Sequence, residues 1–317
     1  MSHKNIFIRQ IKAGDQVHDS FLVTEKNMTF SQKGSPYLSL RLRDRTGEIE
    51  GRIWDKANEY NVLFKKGDVI RIQSRAANFK SSLQLSITDV KKIDDSDIDP
   101  VDFCPASKSN IEEMFEELMA FIRQVENPCL RGLLEEFFRD EEIVRRFKSA
   151  PAAKAFHHVC IGGLLEHTLS VVRLLVQVAG HYEDVDRDLL IAGGILHDIG
   201  KIDELAYDRM IDYTDEGRLV GHIVIGVEML DSKISRIEHF PKQLAMELRH
   251  ILLSHHGSME FGSPKRPKTL EALIIHYIDD LDAKVNAFQR HIEASDGEES
   301  DWTPFHRLFE RFIYKGK

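Results

Sequence analysis

The sequence is poor in cysteine and has no long hydrophobic run. Among its 317 residues the three cysteines, Cys104, Cys129 and Cys160, lie far apart and lack metal-site spacing. A disulfide-rich scaffold and a structural zinc knuckle are therefore excluded, and a reducing compartment is indicated. No apolar run approaches the roughly eighteen residues of a membrane span, and the first twenty residues carry scattered charges. We expect a cytoplasmic protein with no membrane partner.

Positive charge is in excess over only one part of the chain. The whole sequence has 43 Lys and Arg against 52 Asp and Glu, a net charge of −9. Residues 1–93 have 17 against 10, a net charge of +7, whereas the remainder has 26 against 42, a net charge of −16. Because clustered positive charge is typical of a phosphate-backbone binder, the basic module favours a nucleic-acid partner.

The basic module has the pattern of a small β-barrel. Residues 37–43 alternate strictly, with leucines on one face and polar side chains on the other. The predicted strands are residues 17–30, 37–43, 48–54, 68–77 and 82–93, with a short helix near residues 56–64. Five strands with a helix in this position are typical of an OB barrel.

One face of the predicted barrel has the composition of a platform for single-stranded nucleic acid. Aromatic side chains can stack on bases, at about 1–3 kcal/mol per base, while Arg and Lys follow the phosphates. The candidates for substrate binding are Phe30, Lys33, Tyr37, Arg41, Arg52, Trp54, Phe79 and Lys80. An alternative stays open for each residue: Phe30 or Trp54 as a plug of the barrel end, and the arginines as solvated side chains.

The pattern becomes helical after an acidic, turn-prone linker at residues 94–108. Ser109 or Asn110 is suited to cap the first helix, after which apolar residues recur at helical spacing. We expect helices to the end of the chain, including residues 302–314. Residues 206–221 are polar and turn-rich, which predicts a hairpin or lid, with an ordinary surface loop as the alternative.

Histidine and aspartate recur in a pattern that suits a catalytic metal site. His197 and Asp198 are adjacent in ILHDIGK (195–201) and offer one ion a nitrogen and an oxygen ligand. The further candidate ligands are His167, His222, His255, His256 and Asp279. A set of imidazoles and carboxylates without thiolate suits Mn, Fe, Co, Ni or Zn. Any one of these histidines alone is more often a core or surface residue, but their joint occurrence predicts a metal site.

The ligands are sufficient for two ions. His167, His197, Asp198 and Asp279 would hold one, and His222, His255 and His256 the other, with Asp198 as the bridge. Two ions about 3.5–4 Å apart form the clamp used for in-line displacement at phosphorus. Because neighbours on a helix differ by about 100°, His255 and His256 reach one ion only if the helix ends there. Gly257 permits that end; otherwise the second histidine would contact phosphate. Gly193 and Gly194 are expected to allow close helix packing.

These motifs resemble those of the HD superfamily of metal-dependent phosphohydrolases in its two-metal form. GGLLEHTL (162–169), GHIVIG (221–226), LSHHG (253–257) and HYIDDLDAK (276–284) are similar to one branch, the YhaM-type 3'-5' exoribonucleases. The resemblance covers nearly the whole chain. It implies an N-terminal OB-fold over residues 1–93 and an all-α HD domain over residues 109–317, with its core at about 155–290.

The resemblance also implies an activity and roles for residues. The expected enzyme is a Mn-dependent exonuclease that removes nucleoside 5'-monophosphates from the 3' ends of single-stranded RNA, with single-stranded DNA as an open further substrate. Asp198 would lie at the catalytic centre and Lys201 would contact phosphate, although a surface position for Lys201 stays open. His157 and His158 are additional substrate-binding candidates. The barrel would hold the strand whose 3' end is cut.

Two other functions stay open at this point. The HD core does not distinguish a polymer from a small nucleotide, so a phosphodiesterase or nucleotidase is one alternative. The basic barrel counts against it, because a small substrate needs no such platform. A single-stranded nucleic-acid-binding protein with a non-catalytic HD domain is the other, and the complete ligand set counts against it. A homo-oligomer is also open.

Overall fold

The computed structural model describes most of the chain as two compact units. The described residues are 4–31, 34–79, 82–94, 102–103, 109–153, 160–207, 211–295 and 300–316. Lys33, Lys80, His157 and His158 lie outside them, as do Cys104 and most of the predicted linker. The first unit is Met1–Ala106 with Tyr207–Ile211, and the second is Ser107–Ala206 with Asp212–Lys317. Within the described ranges, no helix is both long and apolar enough to cross a bilayer.

The first unit contains a closed five-stranded barrel. Its elements are β1 (Gln16–Phe30), β2 (Pro36–Asp44), β3 (Gly47–Ile53), α1 (Ala57–Leu63), β4 (Val69–Phe79) and β5 (Ser82–Lys92). The strands follow the order β1-β2-β3-β5-β4, and β4 pairs with β1 to close the ring. The β3–β5 pair is parallel and the other pairs are antiparallel. The predicted barrel, with its helix between the third and fourth strands, is confirmed.

Alternation along β2 and bending of β1 explain how the barrel closes. Leu38, Leu40 and Leu42 are at most 1% exposed and face the barrel core, as their period-2 spacing predicts. The first part of β1 pairs with β4 and the second part with β2, with a register shift between Val23 and Glu25. Such a shift bends a strand, which lets the single long β1 serve two neighbours.

The second unit is mainly helical. Its elements are α2 (Ile111–Arg123), α3 (Pro128–Phe138), α4 (Glu141–Ser149), α5 (Gly163–Ala179), α6 (Arg187–Leu196), α7 (Lys201–Glu204), β6 (Leu205–Ala206), β7 (Asp212–Tyr213), α8 (Asp215–Leu219), α9 (His222–Ile234), α10 (Lys242–Ser254) and α11 (Leu270–Ala294). Asn110 caps α2, since its side chain accepts hydrogen bonds from the backbone N–H groups of Glu112 and Glu113. Of the two predicted caps, Asn110 is therefore the one observed.

Glycines allow the helices of this unit to approach closely. A Cβ added at Gly193 would lie 2.7 Å from Ile275 Cδ1 of α11 and 2.9 Å from Ile251 Cδ1 of α10. A Cβ added at Gly194 would lie 2.4 Å from Leu175 Cδ1 of α5. The predicted close packing at these two glycines is confirmed, and it brings α5, α10 and α11 against α6.

Two segments show where local pattern and structure agree or differ. The hairpin predicted within residues 206–221 is present, because β6 pairs with β7 and α8 follows.

The helix expected over residues 302–314 is wrong. Trp302 pairs with Tyr314 and His306 with Arg311 as isolated bridges, so the chain reverses there. The aromatic rings of Phe305 and Phe312 meet across this reversal at 5.3 Å, and their spacing along the chain imitates that of a helix.

Gly200, just before α7, offers a direct test of this packing. A Cβ there would lie 2.1 Å from the backbone oxygen of His222 and 2.6 Å from the backbone nitrogen of Gly226. Because backbone must move to relieve this clash, we expect Gly200→Ala to lower the free energy of unfolding by about 1–3 kcal/mol. Urea denaturation would measure the change. The matched control is Gly132→Ala in α3, which meets nothing within 4 Å and should stabilise by up to about 1 kcal/mol. Equal stability of the two variants would contradict the prediction.

Candidate functional site

The structure brings all seven candidate ligands together in the helical unit. His167 lies on α5 and Asp279 on α11, whereas the other five lie at or just beyond helix ends. His197 and Asp198 follow α6, His222 begins α9, and His255 and His256 follow α10. Helix ends deliver side chains to a point where several helices converge, so ligands that are far apart in sequence become neighbours.

The ligands form two groups that share one residue. The first cage consists of His167, His197, Asp198 and Asp279, and the second cage of Asp198, His222, His255 and His256. Within each cage the potential ligand atoms all lie within 4.8 Å of one another. Four nitrogen and oxygen atoms at such spacing are able to coordinate one divalent ion.

The two oxygens of Asp198 face different cages. Oδ2 lies 3.5 Å from His167 Nε2 and 3.3 Å from His197 Nε2. Oδ1 lies 3.6 Å from His222 Nε2 and 3.5 Å from His255 Nε2. A carboxylate in this position is able to bridge two ions.

Unpaired polar atoms in the second cage fit a bound cation. Among the described residues, Asp198 Oδ1, His222 Nε2 and His255 Nε2 are buried without a hydrogen-bond partner. Buried polar atoms that lack partners are rare, because leaving one unpaired costs about 1–3 kcal/mol. Three such atoms that converge on one point match the donor set of a divalent transition metal.

Each cage histidine is held through Nδ1, which leaves Nε2 for the cage. The acceptors, in chain order, are Asp282 for His167, the Gly194 carbonyl for His197, Glu204 for His222, the Leu252 carbonyl for His255 and the Phe261 carbonyl for His256. These N···O distances are 2.7–2.9 Å. Metal-binding histidines in proteins show this same arrangement, since the second hydrogen bond fixes the tautomer and the ring orientation.

The field in the first cage favours positive charge. Burial disfavours protonation of His167, but its hydrogen bonds with Asp279 and Asp282 outweigh burial and raise its pKa to about 9. Burial disfavours the charged form of Asp279 as well, yet its hydrogen bond with His167 and the charge of His197 lower its pKa. A site that holds a proton so firmly also attracts a metal cation, because both are stabilised by the same carboxylates.

The second cage instead keeps its imidazoles neutral. Burial lowers the pKa of His222 and His255. Burial and the neighbouring His255 lower the pKa of His256 to about 4. Neutral imidazole has the lone pair that a metal requires, so these histidines are ready to bind at neutral pH.

Lys201 is buried beside the shared carboxylate. Its Nζ donates to Asp198 Oδ2 at 2.6 Å. Burial opposes both charges, but each group stabilises the other: the pKa of Lys201 is raised and that of Asp198 is lowered. The alternative of a surface lysine is therefore wrong, whereas contact with phosphate stays a prediction.

The end of α10 resolves the geometry of the adjacent histidines. The helix ends at Ser254, and Gly257 has a φ of 79°, in the left-handed region that favours glycine. A Cβ at Gly257 would lie 2.2 Å from the His276 ring, whose Nδ1 donates to the His255 carbonyl. His255 and His256 are consequently both part of the second cage.

Sequence reasoning did not single out Asp282 and Glu204, which hold two of the cage histidines. Asp282 lies three residues after Asp279 on α11, so helical spacing was a usable signal that both face the same side. Glu204 had no comparable signal. Its contact with His222 spans 18 residues of chain and depends on how the hairpin and α8 return to the site.

Four of the predicted substrate-binding residues form a cluster on the barrel. The rings of Tyr37 and Trp54 stack at 4.5 Å. The guanidinium of Arg52 lies 5.7, 5.8 and 5.1 Å from the rings of Tyr37, Trp54 and Phe79. We call these four residues the aromatic cluster. Trp54 and Phe79 are 45% and 49% exposed, so part of each ring is open to solvent.

Two further barrel candidates lie in different surroundings. Phe30 is 70% exposed, which rules out its role as a plug of the barrel end. Arg41 lies 3.8 Å from Glu25 and 3.5 Å from Glu48, so part of its charge is compensated within the barrel. Arg41 is thus less available to a phosphate than a free arginine.

Fold and site together define a class of protein. Residues 22–93 match the family model for the OB-fold nucleic acid binding domain, and residues 164–284 match that for the HD domain. The barrel has the first architecture, and all residues of the two cages lie within the second match. The chain is therefore an OB-fold domain joined to a helical HD domain, as the sequence predicted.

Similarity over about nine-tenths of the chain identifies one family within this class. The 3'-5' exoribonuclease YhaM of Bacillus subtilis (strain 168) is 33% identical over 291 residues, which cover 92% of this chain and 91% of that protein. The 3'-5' exoribonuclease YhaM of Geobacillus sp. (strain WCH70) is 34% identical over 283 residues, covering 89% and 86%. The chain belongs to the YhaM family of 3'-5' exoribonucleases.

The Lys201–Asp198 pair leads to a prediction about stability. Loss of one partner leaves a buried charge uncompensated, so we expect Lys201→Met to destabilise the metal-free protein by about 3 kcal/mol. Added Mn²⁺ should recover part of this loss, since a cation replaces the missing charge. Thermal denaturation with and without Mn²⁺ would measure both effects. Lys284→Met, which breaks an exposed pair with Asp280, is the control and should cost less than about 1 kcal/mol. Equal losses of stability in the two variants would argue against compensation of the buried Asp198 charge by Lys201.

Proposed function

We propose that this protein is a metal-dependent 3'-5' exoribonuclease that removes nucleoside 5'-monophosphates from single-stranded RNA. The observation that carries the proposal is the shared Asp198, whose two oxygens face two four-ligand cages. Two adjacent metal sites are the arrangement used for in-line displacement at phosphorus. Membership in the YhaM family supports the 3'-5' direction and RNA as the substrate.

Seven residues would hold two divalent ions. They are His167, His197, Asp198 and Asp279 in the first cage and, with Asp198, His222, His255 and His256 in the second. We propose Mn²⁺ for both, and the imidazole and carboxylate donors also suit Fe, Co, Ni or Zn. Bound ions supply Lewis acidity, a water nucleophile at neutral pH and compensation of the phosphate charge.

The protein's own contribution is to hold Asp198 ionised and in one orientation. Lys201 donates to Oδ2, which fixes the carboxylate plane and keeps Oδ1 directed at the second cage. Burial of this pair strengthens the interaction, because the surroundings have a low dielectric constant. We assign Asp198 to the catalytic centre and Lys201 to its support, with contact between Lys201 and the scissile phosphate as a further proposal.

We propose that the barrel supplies affinity for the strand. The aromatic cluster offers ring faces for stacking and a guanidinium for phosphate. Further candidate contacts within residues 1–93 are Phe30, Lys33, Arg41 and Lys80. His157 and His158 are candidate contacts within residues 109–317. Because stacking uses the base and not the sugar, single-stranded DNA is also a proposed ligand.

We further propose a division of the chain into two domains. Residues 1–93 would bind the strand, residues 109–317 would carry the chemistry, and residues 94–108 would link them. The protein is proposed to be cytoplasmic.

Cleavage of a defined RNA would test the proposed activity. With Mn²⁺, a 5'-labelled single-stranded RNA should shorten progressively from its 3' end. The double variant His197→Ala plus Asp198→Ala should reduce the rate to background, because it removes two ligands of the first cage, one of which, Asp198, is shared with the second cage. A chelator should have the same effect on the unsubstituted protein. RNA that is bound but not cut would support a binding protein, and RNA neither bound nor cut would support a small-nucleotide hydrolase.

The proposed role of the aromatic cluster predicts a separation of binding from chemistry. Trp54→Ala should weaken RNA binding by about 1–3 kcal/mol through loss of one stacking surface, while kcat at saturating RNA changes little. Fluorescence anisotropy of labelled RNA in the presence of chelator would measure the affinity. The control is Trp302→Ala, which removes the other tryptophan from the helical unit, where it is 52% exposed. An equal loss of affinity in both variants would refute a specific role for the cluster.

A further inference from the structure

The cage histidines are held by two chemically different kinds of acceptor. His197, His255 and His256 donate through Nδ1 to main-chain carbonyls. His167 and His222 instead contact carboxylates through Nδ1. Among the described residues, each cage therefore has one histidine whose Nδ1 contacts a carboxylate: His167 in the first cage and His222 in the second.

Asp282 contacts a histidine of the first cage. Its Oδ2 lies 2.8 Å from His167 Nδ1, on the side of the ring away from the cage atom Nε2. Its other oxygen accepts a hydrogen bond from the Ser170 hydroxyl, one turn beyond His167 on α5. Asp282 is buried, and these two contacts give its carboxylate one orientation.

Glu204 has the equivalent position behind the second cage. Its Oε1 lies 2.9 Å from His222 Nδ1 and also accepts the backbone N–H of His222 at 3.0 Å. One oxygen thus fixes both the side chain and the first backbone group of α9. Glu204 is buried at the end of α7, three residues after Lys201.

We propose that Asp282 and Glu204 are positioning residues that separately set the metal affinity of the first and second cages. The proposal rests on the two-metal function proposed above. A carboxylate that accepts from Nδ1 makes Nε2 a stronger donor to a metal than a neutral carbonyl does, and it fixes the ring. Because the two carboxylates contact different histidines, loss of one weakens one cage and leaves the other's histidines in place.

Metal binding measured without substrate tests this assignment. The protein is stripped with chelator, and Mn²⁺ binding is followed by equilibrium dialysis and electron paramagnetic resonance. Asp282→Asn and Glu204→Gln should each weaken one of two ions by about 10- to 100-fold and leave the other nearly unchanged. The spectrum at limiting Mn²⁺ should match that of His167→Ala for Asp282→Asn, and that of His222→Ala for Glu204→Gln. Asp282→Ala should lose more affinity than Asp282→Asn, which keeps an acceptor.

Matched controls separate a local role from a general loss of charge. Asp280→Asn makes the same change two positions from Asp282, in an exposed pair with Lys284. Glu117→Gln removes a carboxylate that pairs with Arg173 at the surface. Both controls should bind two ions as the unsubstituted protein does.

The outcomes distinguish the two proposals. If the unsubstituted protein binds fewer than two ions, the two-metal function itself fails. If it binds two ions and cleaves RNA, but the variants at Asp282 and Glu204 bind like the controls, the positioning role is overturned. Equal weakening of both ions by either variant would also overturn it, because the assignment is specific to one cage each.

Discussion

The helical unit depends on one buried carboxylate, Asp198. An ionised carboxylate removed from water costs several kcal/mol unless charges and hydrogen bonds compensate it. Here the compensation comes from the Lys201 ammonium at 2.6 Å on Oδ2 and from histidines near both oxygens. These partners lie on or at the ends of α5, α6, α7, α9 and α10, so these five helices must meet at this point. The same convergence that stabilises Asp198 creates two cages of potential metal ligands that have Asp198 in common.

Close approach of the helices is what makes the convergence possible. Gly193 and Gly194 have no side chain where α6 packs on its neighbours. Gly200 likewise allows the backbone of α9 to lie directly against the backbone before α7. Ligands at helix ends, such as His222 and His255, then point inward while the helices remain regular. The barrel is built on a different principle, strand alternation around an apolar core, and its aromatic cluster faces outward. The two units thereby present different features: an aromatic cluster on the barrel and two cages of potential metal ligands in the helical unit.

Local residue patterns predicted most of the secondary structure. The prediction failed where one spacing of residues fits two different structures. Strict alternation in β2 identified its core face because a strand has only two faces. The aromatic spacing of residues 302–314 was wrongly interpreted as helical, since a reversing chain that pairs Trp302 with Tyr314 and Phe305 with Phe312 produces similar intervals. For Lys201, which follows the candidate ligands His197 and Asp198, the sequence left open whether the side chain contacts phosphate or lies at the surface. Only the structure shows it buried against Asp198, because burial depends on what packs over a residue.

By itself the sequence determined the types of ligand and the two kinds of architecture. Few side chains bind divalent metals, so His197-Asp198 with His167, His222, His255, His256 and Asp279 predicted a metal centre, and periodicity separated a barrel from helices. Only the tertiary structure decided which ligands share a cage, that Asp198 divides its oxygens between the cages, and that Asp282 and Glu204 support one histidine each. The reason is that the contacts of Glu204 with His222 and of Asp282 with His167 join residues 18 and 115 positions apart. Contacts at such separations are set by helix packing, which no local pattern encodes.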